Sequence, residues 1–307
     1  MKMKRKKLGL WSIAILAILL ILLVTWGLIE PYILEEEETE AVIPNLPAAW
    51  EGQKIAQVSD FQVGMWLDNV DTIAKSTEKI IAEQPAAVLI SGDFIYHALP
   101  EPEKEINEVI ELISPLTAAN IPTYAVLGNH DYGIKNKSTQ PQPELAAQLE
   151  RALESIGIQV LKNEILKLKL PDTKAQVNNA DLYLVGIGSH WAKNDLVEPA
   201  LAQLNDSPRV VMMHNPDSFK AFPPYTAPFA VAGHTHGGQI RLPYLPDWSW
   251  LNLTKEGKVP VDGWSKDYGA TGNHLYINRG IGFSDVPIRI NCAPEITFFT
   301  LRSQSTT

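Results

Sequence analysis

Cysteine is almost missing from this chain: of 307 residues, Cys292 alone carries a thiol. No disulfide can form within it, and the redox compartment stays open. An excess of positive charge is missing too. The 26 Lys and Arg against 35 Asp and Glu leave a formal charge of -9, and from residue 45 onward the count is 21 basic to 29 acidic. Phosphate neutralisation is the main source of nucleic-acid affinity, so an acidic globular part without a basic stripe predicts no nucleic-acid partner. Internal repeats are absent, as are low-complexity tracts beyond one run of glutamates. The 45% hydrophobic content excludes disorder and collagen, and one long apolar run excludes a polytopic membrane protein. The length allows one large domain or two small ones.

The apolar run is the first positive feature. Leu8 to Ile29 is 22 residues without a charge, about 33 Å as a helix, enough for a hydrocarbon core of roughly 30 Å. Trp11 and Trp26 sit near its ends, five cations precede it (Lys2, Lys4, Arg5, Lys6, Lys7), and glutamates come after it. The run exceeds an ordinary signal-peptide core, no small-x-small cleavage site stands around residues 26–33, and no Arg pair marks twin-arginine export. An uncleaved anchor in the lipid bilayer is expected over 8–29, with residues 1–7 as a basic cytoplasmic tail. The globular part is then extracytoplasmic at the cell membrane, on a single pass. Residues 30–49, with Pro31, Pro44, Pro47 and the run Glu35 to Glu38, read as a solvated linker.

Beyond residue 50, short apolar runs alternate with amphipathic stretches, the pattern of a layered α/β protein. Buried strands are expected at 53–58, 86–90, 122–127, 208–213 and 228–232. Helices are expected at 68–83, 101–119 and 143–156, with Pro102 and Pro143 in first turns that tolerate proline. After Gly233 the segments 238–242, 273–278, 286–290 and 295–301 read as strands.

The residues at the carboxyl end of each of the first five strands carry the chemistry. These strands run into Ser59-Asp60-Phe61-Gln62, Gly92-Asp93, Gly128-Asn129-His130-Asp131, His214-Asn215 and Gly233-His234-Thr235-His236-Gly237-Gly238. Ligands of open α/β sheets bind beyond the carboxyl ends of strands, so these side chains are expected in one crevice. Carboxylate, amide and imidazole without thiolate suit Mn, Fe, Zn or Ni. Gly-Asp alone is common turn chemistry, whereas a His between Asn and Asp at a strand end has little packing rationale. His97, His190 and His274 lack such context and read as surface or core residues.

In this order the motifs resemble those of the calcineurin-like metallophosphoesterases, over residues 50–302, with 303–307 as a tail. The run Gly233 to Gln239 (GHTHGGQ) after a membrane anchor looks like the family's bacterial membrane-anchored branch. The resemblance implies a four-layer α/β/β/α sandwich, two stacked sheets flanked by helices. It implies two divalent metal ions roughly 3.5–4 Å apart that activate water for in-line attack on phosphorus. Asp60, Asp93 and His236 would bind one ion; Asp93, Asn129, His214 and His234 the other, with Asp93 bridging. His130 would protonate the leaving oxygen or stabilise transition-state charge, and Asp131 would orient its ring.

Gln62 departs from the pattern, standing where the family usually has a histidine ligand. Its amide oxygen is a weaker donor, so the site of Asp60 and His236 is expected to be the looser one, or water-completed. Arg241 and Arg279 each come after a motif near the crevice and are candidate phosphate contacts, against the more ordinary reading of either as a surface arginine. The segment 242–272 holds Tyr244, Trp248, Trp250, Trp264 and Tyr268, which would stack on a base, accept acyl chains or dip into the headgroup layer; a self-packed loop is the alternative. The expected reaction is hydrolysis of a phosphodiester, pyrophosphate or phosphomonoester bond in a phosphorylated small molecule or a lipid-linked substrate, of the type UDP-2,3-diacylglucosamine that some family relatives cleave. That nucleotide is made in the cytoplasm, against the orientation read from the charges. A catalytically silent metal-binding membrane protein is the second reading, motivated by Gln62. Oligomeric state is not legible.

Overall fold

A computed structural model of the chain describes residues 2–67, 69–96, 101–136, 138–170, 181–201, 204–245, 248–253, 259–265 and 267–304. His97 lies outside them. The amino-terminal helix α1 covers Lys2–Ile29, and strand β1, Glu35–Ile43, comes after one 3-10 turn. The five apolar runs are strands, each buried along its length or nearly so: β2 (Lys54–Val58), β3 (Ala87–Ile90), β4 (Thr123–Ala125), and later β8 (Arg209–Met212) and β9 (Ala230–Ala232). Between the first of these run α2 (Val70–Glu83), α3 (Pro102–Ala118) and α4 (Pro143–Ser155), the last two opening on their prolines. Each buries one face at helical spacing: Ile73, Thr77 and Ile80 on α2, Ile106, Val109 and Ile113 on α3, Leu145, Leu149 and Leu153 on α4.

Short strands that the apolar-run pattern does not show complete two sheets: β5 (Gln159–Val160), β6 (Glu164–Lys167), β7 (Tyr183–Gly186) and β10 (Gly263–Trp264). With β11 (Leu275–Ile277) and β12 (Glu295–Ser303), the orders are β1-β12-β2-β3-β4-β5 and β10-β11-β9-β8-β7-β6. β2 to β5 run parallel, as do β7, β8, β9 and β11. Their carboxyl ends therefore gather along one edge of the sandwich.

Side chains alternate across each strand. Ile55, Leu89 and Tyr124 face Leu184, Val210, Phe229 and Tyr276 in the core between the sheets, while Ala56, Val58, Val88 and Ile90 pack beneath α2, α3 and α4. The outer face of the second sheet, with Val185, Val211 and Ala230, lies under the five-residue helix α5 (Val197–Leu201) and a 3-10 turn at Pro216–Ala221. The four expected layers are present, the fourth a thin one. Trp264 and Tyr268 turn inward, Trp264 against Phe229, Tyr276 and Phe299, Tyr268 against Phe219.

Two expectations need correction. Residues 30–49 are not a solvated linker, because the glutamate run is most of β1 and pairs in parallel with β12 from Glu35↔Glu295 to Ile43↔Ser303. Its acidic side chains meet cations on both faces: Glu35 and Glu37 on Arg279, Glu36 on Lys79, Glu38 on Lys54, Glu40 on Arg302. Ala41 and Ile43 enter the core. A charge run reads as solvated from composition alone; matched cations on neighbouring strands make it an edge strand. Segments 238–242 and 286–290 are likewise not strands but meet in a single bridge, Ile240↔Ile290.

α1 also joins the fold directly. Gly27 O accepts the Arg289 N–H at 3.0 Å, and buried Glu30 accepts the N–H groups of Asn291 and Cys292. A Cβ at residue 27 would meet Ile288 Cγ2 at 2.7 Å, so glycine permits the helix to touch this loop.

Candidate metal centre

The donor groups expected from the motifs come together at the sandwich edge. His214 stands just past β8 and donates its Nδ1–H to Ser91 O at 2.7 Å, which turns Nε2 outward. That Nε2 faces Asp93 Oδ2, Asn129 Oδ1 and His234 Nδ1, each at 3.2 Å. Three lone-pair atoms about one imidazole nitrogen describe a cation position, and the ligand atoms of Asp93, His214 and His234 lie within 4.8 Å of one another. The amide of Asn129 is fixed because its Nδ2 donates to Ile134 O at 3.0 Å, leaving Oδ1 for the centre.

The second group stands beside the first. Asp60 approaches His236 Nε2 at 3.5 Å and accepts the backbone N–H of His234 at 3.0 and 3.2 Å. Gln62 donates from Nε2 to Asp93 Oδ2 at 2.9 Å, so its Oε1 points away and is buried with no hydrogen-bond partner; His236 Nδ1 is in the same state. Those two atoms lie on the sides of their groups away from Asp93 and Asp60. The donors facing one another are the two carboxylates and His236 Nε2, a set that suits a divalent ion, and an amide flip would turn Gln62 Oε1 to the same side. The donor chemistry thus fits divalent metal at both positions.

Electrostatics in the metal-free site agree for two of the three histidines. Burial pushes His234 well below the ordinary imidazole range and His236 down to about 4, so both are neutral, as ligation requires. For His214 burial acts the same way, but the Asp93 carboxylate outweighs it and raises the ring to about 9. Burial would raise Asp93; His214 and His130 overcome that and hold it ionised. Asp60, Gln62, Asp93, His234 and His236 all have positive φ, between 49° and 73°. Such conformations cost free energy in residues with a side chain, and their concentration here marks a site held by its surroundings. Gly128 is needed for contact, since a Cβ there would collide with the Asp93 carboxylate.

Asp131 does something other than orient the His130 ring. Its Oδ2 accepts from Asp93 N (2.9 Å) and Gly128 N (2.7 Å), its Oδ1 from Phe94 N (2.8 Å) and Ile95 N (3.3 Å). It ties the β3 loop to the β4 loop, while burial and the Asp93 charge raise it to about 7 against the pull of those donors. The His130 ring is positioned by Tyr96 instead: Nδ1 donates to Tyr96 O at 3.2 Å and the rings stack at 4.9 Å. Sequence offers no signal for a carbonyl contact.

A cavity of about 550 Å³ opens over the centre. Asp93, Asn129, His130, His234 and His236 line it, with Lys135, Trp191, Trp250 and Val286 among its walls. Trp191 edges onto His234 at 4.9 Å; it lies just beyond β7, whose parallel register with β8 would have pointed to it. Of the expected substrate residues, Trp250 lines the cavity and Trp248 does not. Arg241 and Arg279 are also elsewhere. Arg279 is clamped by Glu35, Glu37, Asp262 and buried Glu295, and Arg241 by Asp262. Lys135 is the cation among the described residues that lines the cavity, a position that sequence reasoning missed although it stands five residues after His130.

Carboxylate, amide and imidazole donors on the carboxyl ends of a two-sheet sandwich, with a further histidine at the rim, define a metal-dependent phosphoester-cleaving centre. The chain belongs to the calcineurin-like phosphoesterase family, whose model matches residues 53–238. It is 32% identical to the phosphodiesterase YaeI of Escherichia coli over 72% of each chain. It is 28% identical to the uncharacterized metallophosphoesterase YkuE of Bacillus subtilis, over 90% of this chain and 88% of that one. At 26% identity it aligns with the UDP-2,3-diacylglucosamine pyrophosphatase LpxG of Chlamydia muridarum over 93% of this chain and 95% of that one. The chain is therefore a phosphoric ester hydrolase that uses divalent metal.

Proposed function

We propose that this protein is a membrane-anchored phosphoesterase holding two divalent ions and cleaving a phosphodiester or pyrophosphate in a lipid-linked substrate. The observation that carries the reading is the ring of acceptors around His214 Nε2, with His130 on the wall of the same cavity. Asp60, Gln62, Asp93 and His236 would hold one ion; Asp93, Asn129, His214 and His234 the other. Ions held there would supply charge to the phosphate oxygens and would lower the pKa of the attacking water. The chain does the rest. Tyr96 holds His130 with Nδ1 protonated and Nε2 directed to the leaving oxygen, Lys135 offers charge to an outer phosphate, and Trp191 and Trp250 bound the space for an apolar or aromatic substrate group.

The anchor is the one described helix long and apolar enough to cross a membrane, Leu10–Tyr32 with mean hydropathy 2.8. The cations before it favour a cytoplasmic amino terminus and an extracytoplasmic domain. LpxG supports a lipid-linked pyrophosphate and YaeI a phosphodiester as the scissile group. The test is hydrolysis of bis-p-nitrophenyl phosphate and a diacylated nucleotide diphosphate by the full chain with Mn added. Turnover that EDTA abolishes, and that His130→Ala lowers by about 10²–10⁴ with bound metal unchanged, is expected. Equal background rates for both proteins with metal bound would leave the silent metal-binding reading in its place.

A further inference from the structure

Beside α1 the fold carries a small lobe with no counterpart in the layered core. Trp250 N–H donates to Ile240 O at 2.8 Å and Arg241 pairs with Ser249 in an antiparallel bridge, and the lobe consists of the described residues 240–245 and 248–253 around that bridge. Its apolar side chains face outward: Tyr244 is fully exposed, and Leu242, Leu245, Trp250, Leu253 and neighbouring Val286 are each at least 41% exposed. Monomeric soluble surfaces seldom group such residues without a partner.

The position of the lobe says what the partner is. Leu242, Pro243 and Tyr244 share a cavity of about 720 Å³ with Leu23 and Trp26 of α1. Those two residues lie within the apolar stretch of the helix and before the point where Gly27 docks on the domain. The lobe therefore stands level with helix residues that face lipid rather than with the globular end. On its other side, Ile240, Trp250 and Leu251 line the metal cavity together with Val286. One lobe links the helix's apolar segment to the cavity mouth.

We propose that this lobe, with Val286, docks on the bilayer that α1 crosses and sets the mouth of the metal cavity against the membrane surface. The inference rests on reading α1 as membrane-spanning and extends it: the domain is held in one orientation, and a phosphate at headgroup depth reaches the centre while its acyl chains stay in the bilayer. Tyr244 and Trp250 have the amphipathic rings that settle at the headgroup level. The docking of Gly27 and Glu30 removes the slack that would let the domain tumble.

The experiment places a nitrobenzoxadiazole label at Tyr244→Cys, and separately at Leu245→Cys, in the full chain reconstituted into phosphatidylcholine–phosphatidylglycerol nanodiscs containing nitroxide lipid. Cys292 is buried and does not compete for label. Ser155→Cys, exposed at the end of α4 beside β5 on the opposite sheet edge from β1, is the control. Quenching at 244 and 245 several-fold above that at 155 supports docking. Equal quenching at all three, with the chain retained in nanodiscs, overturns docking and leaves the anchor intact. A blue shift at 244 without lipid quenching assigns the face to a protein surface and also overturns it. Release of the chain from the nanodisc fraction overturns the membrane reading and the docking together.

Discussion

Replacing Asp131 with Asn separates a residue that builds the site from one that acts on His130. Whichever oxygen becomes the amide nitrogen, two backbone N–H groups lose their acceptor and face a donor: those of Asp93 and Gly128, or those of Phe94 and Ile95. Each buried orphan costs about 1–3 kcal/mol, so Asp131→Asn is expected to lower the unfolding free energy by about 2–6 kcal/mol. That is a large share of the roughly 5–15 kcal/mol of a typical domain. At about 2–4 °C per kcal/mol for a domain of this size, the melting temperature falls by roughly 5–20 °C. Differential scanning fluorimetry of the metal-free proteins in detergent reads the shift. Activity falls too, since the N–H of Asp93 moves with its carboxylate. A melting temperature within about 2 °C of the native chain, with activity lost more than tenfold, would refute the reasoning and restore Asp131 as a partner of the His130 ring.

Other expectations rest on the same geometry. Metal-free His214 is protonated below about pH 9, so an ion entering there displaces a proton and apparent affinity climbs about tenfold per pH unit until about pH 9. Calorimetry in buffers of different ionisation enthalpy counts that proton, and none released at pH 7 contradicts it. Because this folded value lies above 6.5, the contribution of His214 to the metal-free fold is complete below about pH 6.5 and is lost as pH rises through about 9. Arg279→Ala leaves buried Glu295 without its cation and is expected to cost about 3–5 kcal/mol in urea unfolding with KM unchanged; a raised KM at normal stability would return Arg279 to phosphate binding. Gln62→His is expected to raise the occupancy of the Asp60 position in metal analysis, and unchanged stoichiometry and activity would show that Gln62 does not limit it.

Much of the site was legible because each donor sits where an apolar run stops. A buried parallel strand must be apolar and must end at a turn, so Asp60, Asp93, Asn129, His214 and His234 announce themselves against that background. The spatial pairing was not legible. Asp131 and His130 are adjacent in sequence, yet a 3-10 turn at His130–Tyr132 sends the carboxylate to four backbone donors and the ring to Tyr96. β1 failed as a prediction for an electrostatic reason: its glutamates are tolerated by cations on α2, β2, β12 and the loop before it, partners that no local window contains. β5 and β10 are two residues long and leave no periodicity to read.

The central claim is a pair of divalent ions flanking Asp93. Anomalous scattering from crystals of the full chain grown with Mn tests it most directly. Two peaks roughly 3.5–4 Å apart are predicted, one among Asp60, Gln62, Asp93 and His236, the other among Asp93, Asn129, His214 and His234. A single peak, or peaks away from these residues, would contradict it.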